Sequence, residues 1–518
     1  MSCTLIALFA LIMALLAGVP LRALAQDLEP TAAEPMNDAG LDAASPDVDA
    51  TFTDVTPAPP EVVPARTSEQ PPVPEPVTPA PLPPTPEQLT TPASVLAPPP
   101  PPPPPPRWSP TYTVSSFTRY ELRHGYDDLG IARGRFQEGD AFFYRTRFGF
   151  NTGLLALGEG LAAAVQITPQ AAGTFGENAS TIADARLGLH EGYARLQGKR
   201  IRFDAGRYEM VYGDALMIGN NDWNEVGRTF DGLRARIGDQ AWLDLFANVI
   251  DEGRPDFPGT GDGDLYFLGA YGSLGSLAHA YFTAITELDL YLLARVWGVV
   301  KDAQMRREGA RELTLGARGK GRVGACDYRA EAGMQAGTRP GIVESVRALA
   351  WQGDVELGVA LFGERLRLSF EALYASGANP RDGERSHGWE DLYPSGHKWL
   401  GLADAFNQNG QKRTNVASAV LHATGRLLEK LTVQLDAHAF ARPQPSVLGA
   451  ERGFAGGELD AGLLYAVAKG LKVRVLYALF LPDRRLYNDV VPDRMRWRDP
   501  DPAQYFEAEL RYDLGGSM

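Results

Sequence analysis

The chain has 518 residues, 44% hydrophobic and 9% aromatic, with 55 Gly, 40 Pro, 2 Cys and a formal net charge of −14. This is too long for one ordinary globular domain, and the charge is unevenly spread. Residues 26–106 hold 12 acidic residues against the single Arg66, whereas from Arg107 onward 48 basic residues face 52 acidic ones.

Every residue from Leu5 to Ala17 is apolar, Gly18 and Pro20 break the run, and Ala23-Leu24-Ala25 supplies small residues before Gln26. This reads as a secretory signal, residues 1–25, because the apolar run falls short of the ~20 residues a spanning helix needs. Residues 26–106 follow with 26 of the 40 prolines, ending in the unbroken run Pro98 to Pro106. Such a segment has too little apolar surface to bury a core and is expected to be a disordered, semi-rigid linker, either a passive tether or a means of engaging a periplasmic protein. Cys3 leaves with the signal and Cys326 remains alone, so the mature chain has no intramolecular disulfide. Beyond the signal no apolar run approaches a spanning helix, so membrane residence requires a β-barrel.

Residues 107–518 repeat with a period of two. Leu366, Leu368, Phe370, Ala372 and Tyr374 alternate with Arg365, Arg367, Ser369 and Glu371, and Phe506, Ala508, Leu510, Tyr512 and Leu514 alternate with Glu507, Glu509, Arg511 and Asp513. The pattern recurs around Tyr328 to Gln335 and Leu471 to Leu479. Short turns at Gly198-Lys199, Gly238-Asp239, Gly363-Glu364 and Lys469-Gly470 alternate with long polar connections at Val211 to Val226, Asp251 to Gly263, Gly377 to Lys412, Pro443 to Ala455 and Leu481 to Pro502. Short and long joints alternate in this way in outer-membrane barrels. Counting from a strand near Pro110 to Arg123 to one near Ala503 to Leu514 gives 18 antiparallel strands, with Gly275 to Met305 open to a second assignment. The fold expected is all-β, an 18-stranded antiparallel transmembrane barrel behind a disordered Pro-rich segment.

Lipid cannot solvate charge, so the charged parity is the lumen and the apolar parity meets outer-membrane lipid. A barrel of this size leaves an aqueous interior unless loops or a plug fill it, and the Pro-rich segment offers no folded plug. Parity places Arg119, Arg145, Arg147, Arg329, Arg367, Arg511, Glu331, Glu458 and Asp460 inward, with Glu458 and Asp460 on a wet wall among arginines. Two readings of this inventory stay open: a balanced ion-pair network that stiffens the wall, or an arginine constriction that selects anions. Catalytic patterns are thin: the seven histidines form no H-E-x-x-H and no close ligand pair, and no nucleophile elbow or phosphate loop occurs. Gly259 to Asp264 has oxygen ligands without the twelve-residue Ca²⁺ loop pattern and reads as a solvated loop. No enzymatic activity, metal, cofactor or nucleic-acid partner is expected.

Two loop-centred segments go beyond composition. Gly206-Arg207-Tyr208-Glu209-Met210-Val211-Tyr212-Gly213-Asp214 precedes Asp222-Trp223-Asn224-Glu225-Val226-Gly227-Arg228-Thr229-Phe230-Asp231-Gly232, and Leu392-Tyr393-Pro394-Ser395-Gly396-His397-Lys398-Trp399-Leu400-Gly401-Leu402-Ala403-Asp404 comes later. Together they resemble the G-R-Q-x-L-x-Y-G-D, D-W-x-x-x-G-R-x-F-D-G and L-Y-P-T-x-H-K-x-L-G-x-x-D patterns of the alginate export family of outer-membrane barrels. The resemblance implies 18 strands and passage of an anionic polysaccharide through an arginine-lined pore, and marks Gly206, Tyr212, Gly213, Asp222, Trp223, Phe230, Asp231, His397, Lys398 and Asp404 as motif positions. Arg207 and Arg228 join the expected pore-lining set, with Arg207, Glu209, Arg228 and Asp231 available to pin a loop inward through charge-assisted hydrogen bonds. The function expected is a passive channel for anionic polysaccharide or small anionic solutes. The alternative is a structural or binding barrel whose Pro-rich tail tethers a periplasmic partner.

Overall fold

In the computed structural model of the chain, residues 109–126, 138–175, 186–251, 264–301, 306–307, 309–341, 345–379, 385–405, 413–445, 452–483 and 501–517 are described. The signal, the Pro-rich linker and the Gly259–Gly263 stretch lie outside them.

Eighteen strands form the wall. They are β1 (Thr111–His124), β2 (Gly139–Asn151), β3 (Leu161–Thr174), β4 (Arg186–Gln197), β5 (Ile201–Tyr208) and β6 (Phe230–Gly238). Next come β7 (Trp242–Asp251), β8 (Leu265–Ser273), β9 (Ile285–Trp297), β10 (Ala310–Val323), β11 (Cys326–Arg339) and β12 (Val346–Leu361). The last six are β13 (Leu366–Ala375), β14 (Val416–Leu428), β15 (Leu431–Arg442), β16 (Gly453–Ala468), β17 (Leu471–Pro482) and β18 (Ala503–Ser517). Each pairs antiparallel with its sequence neighbours, and β1 pairs with β18 from Thr111↔Ser517 to His124↔Gln504, which closes the sheet and removes its edges.

Closure lets apolar side chains face outward. Leu187, Ile201, Leu313, Leu315, Leu421, Leu435, Leu459 and Leu510 are all exposed, while Arg119, Glu121, Arg145, Asp204 and Glu507 on the opposite parity are buried. That inversion of a soluble protein's arrangement is the mark of strands that meet hydrocarbon. A parity shift interrupts the pattern in β4: Leu187 and Leu189 face out, but so do Ala194 and Leu196. A bulge between Thr168 and Pro169 of β3 absorbs the extra residue on β4, at the point where proline has no N–H for the ladder.

The stretch open to two assignments resolves into a short helix, α1 (Gly275–Tyr281), at the short-turn end, the regular strand β9, and a two-residue hairpin pairing Val300–Lys301 with Arg306–Arg307 beyond it. Both chain ends of the barrel lie at the short-turn end. At the other end the connection 209–229 and the described stretch 385–405 turn into the lumen and position the site.

Candidate functional site

The two inward connections meet each other before they meet the wall. Ile218 bridges Tyr393 in parallel, with Gly219 N donating to Tyr393 O at 2.8 Å and Tyr393 N donating to Met217 O at 3.0 Å. Leu216, Met217, Ile218, Trp389, Trp399 and Leu400 are buried at this junction, so loops occupy part of the interior that an open 18-stranded tube would leave to water.

The motif residues converge here although they lie far apart in the chain. The Trp223 ring stacks on His397 at 3.9 Å and its Nε1 donates to Glu507 of β18 at 3.0 Å. His397 Nδ1 is 2.7 Å from Asp404. Tyr212 stacks on Tyr271 at 4.2 Å, and its hydroxyl donates to Asp244 at 2.8 Å. Phe230 packs edge-on to Tyr393 at 5.5 Å. Arg228 donates to Gly219 O and Pro394 O at 3.2 and 2.7 Å, joining the loops rather than lining a path. Lys398 Nζ donates to Asp214 O at 3.1 Å beside the Trp399 ring. Gly213 has φ 55°, and a Cβ there would stand 2.6 Å from Arg318 Cδ, so the turn needs glycine.

Arginines gather on single carboxylates. Asp222, on the first loop, has Oδ1 2.9 Å from Arg145 Nη2 and 2.8 Å from Arg147 Nη1, and Oδ2 2.9 Å from Arg511 Nη1. Burial pushes this carboxyl upward, but Arg145, Arg147 and Arg511 outweigh it and hold it down at about 2. A second gathering lies on β4 to β6, where Asp204 takes Arg195 at 2.6 Å, Arg234 at 2.9 Å and Arg202 at 3.4 Å, with Arg236 paired to Asp244 at 2.6 Å beside it. Elsewhere the ratio inverts. Arg329 serves Asp354, Glu356 and Glu371 at 2.8, 3.0 and 2.7 Å; Arg367 also reaches Glu356 at 2.7 Å. Arg119 sits between Glu121 at 2.7 Å and Glu509 at 3.5 Å, and donates to Trp223 O at 2.7 Å. Glu331 is buried and accepts from Tyr291.

Two expectations are corrected. Arg207 and Asp231 do not face the lumen: they share the parity of the exposed Ile201, Phe203, Leu233 and Ile237, are paired across β5 and β6, and make a bidentate ion pair at 2.7 and 2.6 Å on the outer side near the loop end. The motif is contiguous in sequence, but within a strand its residues alternate sides, so Arg207 cannot join Asp204 and Tyr208. Nor are Glu458 and Asp460 among arginines. Glu458 accepts from Ala403 N at 2.8 Å and Asp460 from Leu402 N at 3.2 Å, and His438 Nε2 stands 3.1 Å from Asp460. Asp436 and His438, two residues apart on β15, meet Asp460 of β16 there.

The parity count also passed over Arg234, Arg236, Arg295, Arg318 and Arg339. Arg234 and Arg236 were visible as the alternate positions of Leu233, Ala235 and Ile237; Arg318 sits among glycines that break the alternation.

The sequence profile of the alginate export family, described as alginate export, matches residues 177–446. The chain belongs to the alginate export family. No curated protein matches it. Among solved structures it is similar to Pseudomonas aeruginosa OccK2 (OpdF), with TM-score 0.52, 13% identity and coverage of 79% of this chain and 98% of that one. It is also similar to the outer membrane protein opdK from Pseudomonas aeruginosa, with TM-score 0.51, 14% identity and coverage of 79% and 99%. At these identities the likeness is one of fold. This alginate-export-family barrel is a bacterial outer-membrane transport protein, its apolar outer face in contact with membrane lipid.

Proposed function

We propose that the barrel conducts anionic polysaccharide or small anionic solutes passively through a lumen whose selective groups are arginines. The observation that supports this most directly is the guanidinium excess on one side: among the described residues, the ion pairs of Arg195, Arg202, Arg234 and Arg236 run to Asp204 and Asp244 alone. Each guanidinium has five donors in a planar fork, so several can share one carboxylate and keep N–H groups for a passing carboxylate or sulfate. Asp222, held by three further arginines, occupies the place of an acidic group on the solute. Fixed arginines of this kind set anion selectivity in pores. In this reading the barrel performs no catalysis.

Planar-bilayer reversal potentials in a salt gradient test the proposal. Anion preference is the expected result; cation preference, or no conductance from folded protein, overturns it. Residues 26–106 are read as a tether behind a barrel of residues 107–518, and their deletion should leave conductance intact.

A further inference from the structure

Asp436 and Asp460 are direct cross-strand partners in the register of β15 and β16, and both are buried on the lumen side. Like charges placed directly opposite on adjacent strands oppose pairing unless positive charge lies between them. Arginine supplies that charge on other walls but not here. Asp436 is held by His422 Nδ1 at 2.7 Å and Gln434 Nε2 at 2.6 Å; Asp460 receives Leu402 N. His438 stands between, 3.1 Å from Asp460 Oδ2.

Three buried atoms of His438 and Asp460 there have no hydrogen-bond partner. The His438 side chain is only 5% exposed and neither ring nitrogen makes a hydrogen bond, its Nε2 lying near Asp460 without bonding. The Asp460 side chain is 2% exposed and its Oδ1 has no donor. Leaving buried atoms without hydrogen bonds is costly. One ligand atom from each of Asp436, His438 and Asp460 lies within 4.8 Å of the other two, the one such grouping among the described residues.

We propose that Asp436, His438 and Asp460 bind one divalent transition-metal cation, with Zn²⁺ as its probe. Two carboxylates and an imidazole are a ligand set for such ions, whereas Ca²⁺ and Mg²⁺ prefer oxygen alone. Bonds of ~2.0–2.2 Å in a tetrahedron set neighbouring ligand atoms roughly 3.3 Å apart, close to the His438–Asp460 separation of 3.1 Å. Asp436 offers its ligand atom within 4.8 Å of both, and His422 and Gln434 orient it as partners of metal ligands do. All three residues border a lumen cavity of about 830 Å³, which leaves the fourth position to water or a solute oxygen. The site stands whether or not the channel prefers anions.

Full-length, untagged protein in nanodiscs, stripped with chelator and dialysed against micromolar ZnCl₂, tests this by metal analysis. About one Zn²⁺ per chain is expected, with affinity falling at least ~10-fold in His438→Gln and in Asp460→Asn. His279→Gln, in α1, should retain full binding. Absence of Zn²⁺ from the wild type, undiminished binding in both variants, or displacement of Zn²⁺ by equimolar Ca²⁺ overturns the proposal. X-ray absorption of the wild type gives a check independent of variant folding: a nitrogen/oxygen shell with one imidazole is expected, and a shell without imidazole overturns it.

Discussion

The lumen wall of β4 to β7 and the wall of β13 to β16 lie about half a turn of the barrel apart and handle buried charge differently. On the first, Arg195, Arg202, Arg234 and Arg236 surround Asp204 and Asp244. On the second, Glu371, Asp436, Glu458 and Asp460 draw on His422, His438, loop amides and, at Glu371, Arg329. Both consist of alternating strands with the same outward leucines, so backbone and lipid impose neither charge pattern. The difference lies in donor number: a guanidinium fork can satisfy shared carboxylates with groups to spare, while a histidine wall is satisfied only when each partner is placed singly.

The strongest way to break this contrast is to reverse the arginine wall. Arg234→Glu with Arg236→Glu should lower the anion-to-cation permeability ratio several-fold, roughly tenfold if the wall dominates selectivity, read as a reversal potential moving toward or past zero. Heat-modifiable migration on a semi-native gel would confirm that the variant is folded.

Next in size is the pin between loop and wall. Replacing Arg145 and Arg147 with Glu should also reduce anion preference, and because both meet Asp222 it should free the 209–229 connection. Faster proteolysis of that connection in the assembled barrel would report the release. If conductance and cleavage stay at wild-type levels, the loop does not depend on this cluster.

The pH dependence sharpens the same point. Asp222 titrates ordinarily near 3.8 and is held at about 2. A depressed carboxyl contributes stability that is fully present above the ordinary value and is lost as pH falls through the lowered one. The pin should therefore survive from pH 7 to about 4 and fail as pH approaches about 2. Protease protection of the loop, followed with an acid-active protease, should show the transition there; a transition between pH 5 and 4 would count against the triple contact.

The smallest effect belongs to the outer pair. Arg207→Ala removes an exposed ion pair, worth ~0–1 kcal/mol, and should leave reversal potential unchanged. A shift as large as that of the Arg234/Arg236 variant would return Arg207 to the conduction path.

Much of this was legible in the residues themselves. Leu366 to Tyr374 against Arg367 to Glu371 identifies two faces without coordinates, and Gly198-Lys199 or Lys469-Gly470 identifies a tight joint. Arg234 and Arg236 were equally readable. Arg207 was not, because a motif read along the chain ignores that neighbours on a strand point to opposite media. His438 was not either: its ligand-like neighbours arrive from β15 and β16, at no spacing a metal motif would use.

Sequence by itself determined the period, the number of crossings and the medium on each side, since alternation and joint length are local and each residue alone carries the cost of meeting lipid. Tertiary structure decided which charges meet. Asp222 finds Arg511 across 289 residues only after β1 has closed on β18, and Asp436 faces Asp460 only through the register of two strands. Such encounters depend on closure and register, which no local stretch of chain contains.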